Sequence, residues 1–352
     1  MDTATTELRA VLAAWPADCQ PSAIEPLGAA GGFSGARFWR LDTPRGRLCL
    51  RRWPSGHPSP QRLKYIQAVL GHVHRVGFNL VPLPLETVRQ VGFVDRAGHL
   101  WELTPWLPGS ADYRTSPSAA RMRAAMTALA DFHLAASSFR STDHSLRQAS
   151  PGIEERKRRL EVLLDGGFAE LVRSVDLSPR QAPLSVGRDE TASGPAELHR
   201  RALAICQHFP VRAAGILDQL SQATKLYVPL QPCIRDIWHD HVLFEGDRVS
   251  GIVDFGGLRP ENVSADVARL LGSLAADDHV SRTSGLAAYE AIRPLAADER
   301  ALLAAFDRSG VLLSGLNWLT WLYLERRTFD DSTRVLARLD EIIARLEHSG
   351  GA

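Results

Sequence analysis

The chain has 352 residues, 45% hydrophobic and 23% charged, with 41 basic against 40 acidic residues and a formal net charge of +1. That length suffices for two or three compact units, and the charge balance leaves no electrostatic footprint for nucleic acid or an anionic membrane. Cys19, Cys49, Cys206 and Cys233 are scattered and form no C-x-x-C pair, so they read as reduced, buried thiols. The N-terminus, Met1 to Glu7, lacks the basic and apolar regions of a signal peptide. The most apolar stretch, Val311 to Leu324, is too short to span a bilayer. The expectation is a soluble, cytoplasmic globular protein.

The first third reads as strands with one helix. Ile24 to Gly28 leads into the glycine-rich Ala29-Ala30-Gly31-Gly32-Phe33-Ser34-Gly35, and Ala36 to Leu41 alternates loosely. Thr43-Pro44-Arg45-Gly46 is a turn before a strand at Arg47 to Trp53. Pro58-Ser59-Pro60 opens a helix to about Val76, with Leu63, Ile66, Val69, Leu70 and Val73 on one face. Leu80 to Thr87 reads as extended. Val91 to Val94 and Leu100 to Leu103 flank Arg96-Ala97-Gly98-His99, a hairpin signal. Pro105 and Pro108-Gly109 then break the chain, so the expected boundary divides residues 1–104 from 105–352.

Beyond it the chain becomes mainly helical. A helix starts at Ser116-Pro117-Ser118 and runs through Met122, Met126, Leu129 and Phe132. Ile153 to Val172 and Ala196 to Leu220 are further helices, separated by a polar surface loop at Ser178 to Gly194. Pro229 to Asp254 switches to short strands and turns, and helices return after Asp266.

The chemistry concentrates between Ile234 and Gly256. Arg235-Asp236 precedes Ile237-Trp238-His239-Asp240-His241-Val242-Leu243-Phe244, and Val253-Asp254-Phe255-Gly256 follows after the turn Glu245-Gly246-Asp247-Arg248. Folding this hairpin back brings Asp236 near Asp254. Phosphoryl transfer needs such a pair, one carboxylate for the nucleophile's proton and one for the divalent ion that neutralises the triphosphate. The kinase motifs R-D-x-x-x-x-N and D-F-G are the pattern to compare. His241 stands where that pattern has asparagine.

On these residues the sequence resembles the aminoglycoside phosphotransferase and choline kinase-like family of small-molecule kinases. That family carries H-G-D-x-x-x-x-N-V-L-F followed across a short hairpin by I-D-F-G. Asp236, Val242-Leu243-Phe244 and Val253-Asp254-Phe255-Gly256 fall in the matching places without a gap. Ser264 to Leu271 looks like the family's D-x-A-R-L-L segment, whose aspartate, here Asp266, braces the catalytic loop. Trp238 is similar to a tryptophan of the fructosamine kinase branch. The resemblance is strong over 229–274, weak over the first third, and general in the middle helices. It implies an α+β, bilobal, protein-kinase-like fold with a small antiparallel-sheet N-lobe and a larger, mainly helical C-lobe. It implies ATP or GTP with Mg²⁺ or Mn²⁺, Asp236 as catalytic base, Asp254 as metal ligand, and His241 as a second ligand. A protein kinase is excluded, because only Gly257 to Ala265 separates Phe255-Gly256 from the helix at Asp266 and no A-P-E motif follows.

The nucleotide side is less orthodox. Gly31, Gly32 and Ser34 lie in a turn whose backbone N–H groups could cover phosphates. Lys64, Lys157 and Lys225 are the only lysines, so the strand cation that kinases require falls to Arg51, which can hold phosphate bidentately. The helix from Ser59 to Val76 contains no Asp or Glu to pair with it. Glu102-Leu103-Thr104 is the expected hinge whose backbone meets adenine, walled by Trp106 or Leu107. The acceptor is a hydroxyl on a small molecule, and no residue identifies it. Two other readings stay open. The missing lysine, helix glutamate and loop asparagine suit a nucleotide-binding regulator without turnover. His239 and His241 beside aspartates also suit a metal-dependent hydrolase, with His279 the only later ligand of note. His133 reads as a buried hydrogen-bonding residue. Trp318, Trp321 and Tyr323 read as core, with Asn317 and Glu325 at the edge of a polar pocket.

Overall fold

The computed structural model describes residues 3–29, 35–139, 147–177, 194–329 and 331–348. The chain forms two compact units: Met1–Phe139 with Asp236–Arg259, and Arg140–Arg235 with Pro260–Ala352. Residues 105–139 and 236–259, which the sequence pattern groups with the helical lobe, pack in the first unit instead.

The first unit begins with helix α1 (Thr3–Leu12), which the sequence reading did not anticipate. Leu8, Val11, Leu12 and Trp15 recur at helical spacing and bury against Leu41, Leu48, Leu50, Trp101 and Leu103 of the sheet. That sheet has five strands, β1 (Ala23–Gly28), β2 (Arg37–Thr43), β3 (Gly46–Arg52), β4 (Val94–Arg96) and β5 (His99–Pro105), in the order β1-β2-β3-β5-β4. All its pairs are antiparallel. Ala97 and Gly98, at φ +52° and +75°, make the tight turn between β4 and β5. Leu80 to Thr87 forms no strand, although the Leu85 N–H donates to the Leu103 carbonyl at 2.8 Å.

The sheet's other face carries α2 (Pro60–Arg75), which starts where the Ser59 hydroxyl accepts from the Arg62 N–H and a proline fills the first turn. Leu63 of α2 packs with Trp53 and Leu100. Helix α3 (Ala119–Ser137) is capped in the same way by Ser118. Its Phe132 ring lies 5.7 Å from Phe78 and 5.7 Å from Phe255.

The hairpin Val242–Glu245 / Arg248–Ile252 completes this unit. Ser110 and Phe244 exchange backbone hydrogen bonds of 3.0 and 2.9 Å. Arg121 of α3 donates to the Gly246 carbonyl at 2.9 Å and to Asp112 at 2.9 Å. Gly109 sits at φ +89°, and a Cβ there would meet the Phe244 carbonyl oxygen at 2.6 Å, so this approach of loop to hairpin requires glycine.

The second unit is helical: α4 (Pro151–Val162), α5 (Phe168–Leu177), α6 (Gly194–Ala223), α7 (Ser264–Ala275), α8 (His279–Glu290), α9 (Ala297–Leu319) and α10 (Ser332–His348). The single helix expected over Ile153 to Val172 is broken where Gly166 takes φ +98°. Helix α9 carries the core through Leu302, Phe306, Leu312, Leu316 and Leu319. The polar loop expected at Ser178 to Gly194 lies almost wholly outside the described residues. All four cysteines are free thiols. Burial pushes Cys49 and Cys206 up to about 11, which makes them poor nucleophiles. Among the described residues no helix is long and apolar enough to cross a membrane.

Candidate active site

Asp236 ends the segment that follows the short strand Gln231–Cys233. The two residues before it are held by α7: Asp266, fully buried, accepts from the Ile234 N–H at 2.7 Å and the Arg235 N–H at 2.6 Å. Arg235 sits at φ +67°, a conformation an ordinary residue adopts only when its surroundings fix it. Its guanidinium is fixed as well, by Glu155 at 2.8 Å and by the fully buried Glu261. Asp266 thus braces this loop through its backbone.

Asp236 itself is exposed. Its backbone carbonyl is 2.8 Å from His241 Nδ1, and the Trp238 indole N–H donates to His241 Nε2 at 2.8 Å. Indole nitrogen can only donate, so the His241 proton sits on Nδ1 and points to the Asp236 carbonyl. The same Nε2 lies 3.7 Å from Asp254 Oδ2. The imidazole therefore lies between the Asp236 main chain and the Asp254 carboxylate.

Asp254 follows the second hairpin strand at φ +60°, a left-handed position that Asp tolerates better than most residues. Its Oδ1 accepts from Arg51 Nη2 at 3.0 Å and from the Gly256 N–H at 3.4 Å. Burial alone would raise its pKa. Arg51, His241 and the Gly256 N–H outweigh that and hold it at about 2, so it is a carboxylate at any physiological pH. Gly256 is tightly placed: a Cβ there would lie 3.1 Å from Trp53 Cζ3 and 3.3 Å from Asp254 Oδ1.

Arg51 projects from β3 on the face that carries α2. Its guanidinium lies 3.4 Å from the centre of the Trp53 ring and 5.2 Å from that of Phe38. Its Nε–H is buried and has no acceptor among the described residues. The site thus holds a stacked cation beside an ionised carboxylate. That arrangement fits an incoming phosphate and its divalent ion.

Glu102 and Thr104 lie in β5, with their main chains paired to Arg51 and Cys49 of β3. The Glu102 side chain is buried and accepts from Gln67 of α2 at 2.8 Å. Gly31, Gly32 and Ser34 lie outside the described residues. His239 turns from His241 to a partner of its own, with Nε2 3.3 Å from Asp240 Oδ1. Among the described residues neither histidine belongs to a group of three side chains able to share one ion. Sequence reasoning missed Trp238 as the partner of His241, and missed Arg62, whose Nη2 donates to the Gly256 carbonyl at 3.2 Å. It also missed the Gln67–Glu102 bond, although a lone acid in an apolar strand was a visible signal.

The sequence model of the phosphotransferase enzyme family (APH) matches residues 26–306. The chain belongs to this family. Homoserine kinase of Rhizobium etli (strain CIAT 652) is 32% identical over 115 residues, covering 30% of this chain and 36% of that enzyme. Homoserine kinase of Polaromonas naphthalenivorans (strain CJ2) is 31% identical over 97 residues, covering 26% of this chain and 31% of that enzyme. These matches span about a third of the length of the curated relatives. Among solved structures, the amicoumacin kinase in complex with AMP-PNP, Ca²⁺ and Ami superposes with a TM-score of 0.61 at 15% identity, covering 98% of this chain and 94% of that one. Spectinomycin phosphotransferase in complex with ADP and its antibiotic gives 0.54 at 13% identity, covering 90% and 86%. An aminoglycoside phosphotransferase from Alicyclobacillus acidocaldarius gives 0.53 at 18%, covering 96% of each chain. The fold is the α+β kinase-like fold these proteins share.

Proposed function

We propose that this member of the phosphotransferase enzyme family is a small-molecule kinase that moves the γ-phosphoryl group of ATP to an alcohol acceptor. The observation that carries this reading is the constellation of Arg51, Asp254, His241 and Asp236. A stacked guanidinium lies against a carboxylate held at about 2, and the His241 ring lies between that carboxylate and the Asp236 carbonyl. Asp236 is the base that takes the acceptor's hydroxyl proton. Asp254 is the first metal ligand, and its charge is secured in advance by Arg51. His241 is the second, through Nε2, on exchanging the Trp238 N–H for the ion. Arg51 holds phosphate together with Gly31, Gly32 and Ser34, as the sequence pattern leads us to expect, while β5 around Glu102 and Thr104 borders the adenine. A bound nucleotide with Mg²⁺ or Mn²⁺ supplies the phosphoryl group and neutralises its charge. GTP is the alternative donor. The homoserine kinase matches make a hydroxy amino acid the first acceptor to test.

The test is a pair of substitutions in the full chain. Asp236→Asn is expected to keep nucleotide affinity and abolish transfer, and Asp254→Ala to lose both. Transfer by Asp236→Asn within a few-fold of the unsubstituted protein would remove Asp236 from its role. Binding without transfer to any alcohol, in the unsubstituted protein, would leave a nucleotide-binding regulator. Absence of binding at millimolar nucleotide would sink both readings.

A further inference from the structure

Helix α2 contains no acidic residue between Pro60 and Arg75, so α2 offers Arg51 no carboxylate. A buried strand guanidinium still needs a counter-charge once Asp254 is committed to an ion. We infer that Glu102 supplies this counter-charge from the neighbouring strand, and that Gln67 ties α2 to it, so the strand–helix ion pair of the fold is here a strand–strand pair with an amide tether. The inference rests on the first unit being the nucleotide site.

Register supplies the first argument. Arg51 and Glu102 are directly opposite in the antiparallel β3–β5 pair, and cross-strand partners share a face with Cβ atoms about 4.5–5.5 Å apart. Leu50 and Leu103 occupy the other face, against α1, so both charged side chains are directed to the α2 side. Burial supplies the second. Glu102 is 6% exposed, and an acid so placed is costly unless something compensates it. Gln67 Nε2 donates to its Oε1 at 2.8 Å and to the Gly92 carbonyl at 3.0 Å, leaving the tether neutral. Burial pushes the Glu102 carboxyl up and the Asp254 charge adds to this, while the Gln67 amide, the Arg51 charge and the Trp53 indole oppose it without cancelling it. Arg51 is the only cation in that balance. Arg51 thus stands between Asp254, which it touches at 3.0 Å, and Glu102, which faces it from the next strand. Glu102 is a positioning residue that acts through Arg51.

The experiment measures Mg²⁺–AMP-PNP affinity by calorimetry, with the urea midpoint recorded for each protein. The proteins are the unsubstituted chain, Glu102→Gln, Arg51→Met, their double variant, and the transposed Gln67→Glu/Glu102→Gln. Glu102→Gln should weaken affinity by about thirtyfold or more, the order expected when a desolvated charge loses its partner. It should add nothing in the Arg51→Met background, and the transposition should return affinity to within about threefold. Equal losses with and without Arg51 would show a merely structural role and overturn the inference. Unchanged affinity in Glu102→Gln would overturn it too. If Glu102→Gln alone fails to fold, the transposed variant decides, since it carries the same glutamine at 102 with the charge restored on α2. An unsubstituted chain that does not bind the nucleotide overturns the functional reading instead, so the two failures are distinct.

Discussion

Replacing Asp266 by alanine should release the backbone of the segment that leads into Asp236. Its carboxylate accepts from two backbone N–H groups, of Ile234 at 2.7 Å and Arg235 at 2.6 Å, and the residue is fully buried. Each buried donor left without an acceptor costs about 1–3 kcal/mol, so Asp266→Ala should destabilise by about 2–6 kcal/mol. A typical domain has only about 5–15 kcal/mol in total, so the loss is a large fraction. Arg235 also loses the contact that holds it at φ +67°, which keeps the expectation away from the low end. Asp266→Asn retains one acceptor oxygen and should lose about half as much. The assay is urea unfolding followed by tryptophan fluorescence, with both variants against the unsubstituted chain. A shift below about 1 kcal/mol for Asp266→Ala, less than one orphaned donor, would refute the bracing argument.

Glu299 sets an acid limit for the second unit. Burial would raise its pKa, but the Arg293 guanidinium, the Ala296 N–H and the Asn262 amide pull it below the ordinary 4.5. A lowered carboxyl contributes stability above its unfolded value and loses it as the pH falls through the folded one. Stability should therefore decline below about pH 4.5, and Glu299→Gln should flatten that slope in urea midpoints taken across the range. Gly256→Ala places a methyl 3.1 Å from Trp53, so it should weaken nucleotide binding by calorimetry without abolishing folding; unchanged affinity would mean that the Trp53 contact yields freely. His241→Asn replaces imidazole nitrogen by a harder oxygen donor and should raise the Mg²⁺/Mn²⁺ preference ratio. Identical ratios in the two proteins would leave His241 as a brace between Trp238 and the Asp236 carbonyl.

The sheet and its site were legible where the signal was local. Ser59 and Ser118 preceded apolar periodicity and cap α2 and α3 as expected, and Ala97-Gly98 announced its own turn. Asp236 and Asp254 were readable because a two-stranded hairpin fixes the distance between its ends. What escaped depends on partners distant in sequence. Gln67 meets Glu102 across 35 positions and Arg51 meets Asp254 across 203, and no window along the chain contains either pair. Helix α1 was overlooked for the opposite reason, since Leu8, Val11 and Leu12 precede any structured neighbour that would give their spacing meaning. The break at Gly166 was visible in Asp165-Gly166-Gly167, a turn signal that the apolar periodicity on either side outweighed in the sequence reading.

The first unit is assembled from two stretches of chain, with 96 intervening residues, Arg140–Arg235, assigned to the second. A nascent chain that has completed the sheet, α2 and α3 still lacks the hairpin bearing Asp254. That unit can close only after synthesis has passed Arg259, by which time much of the helical segment has already left the ribosome. Such long-range closure favours slow folding and prolonged exposure of apolar surface. A fragment ending at Phe139 would present the Leu80 carbonyl and Phe132 without Ile252 and Phe255, their partners from the later stretch. Neither unit can be released as one uninterrupted polypeptide, and a nick near Asp236 would sever the covalent path through both.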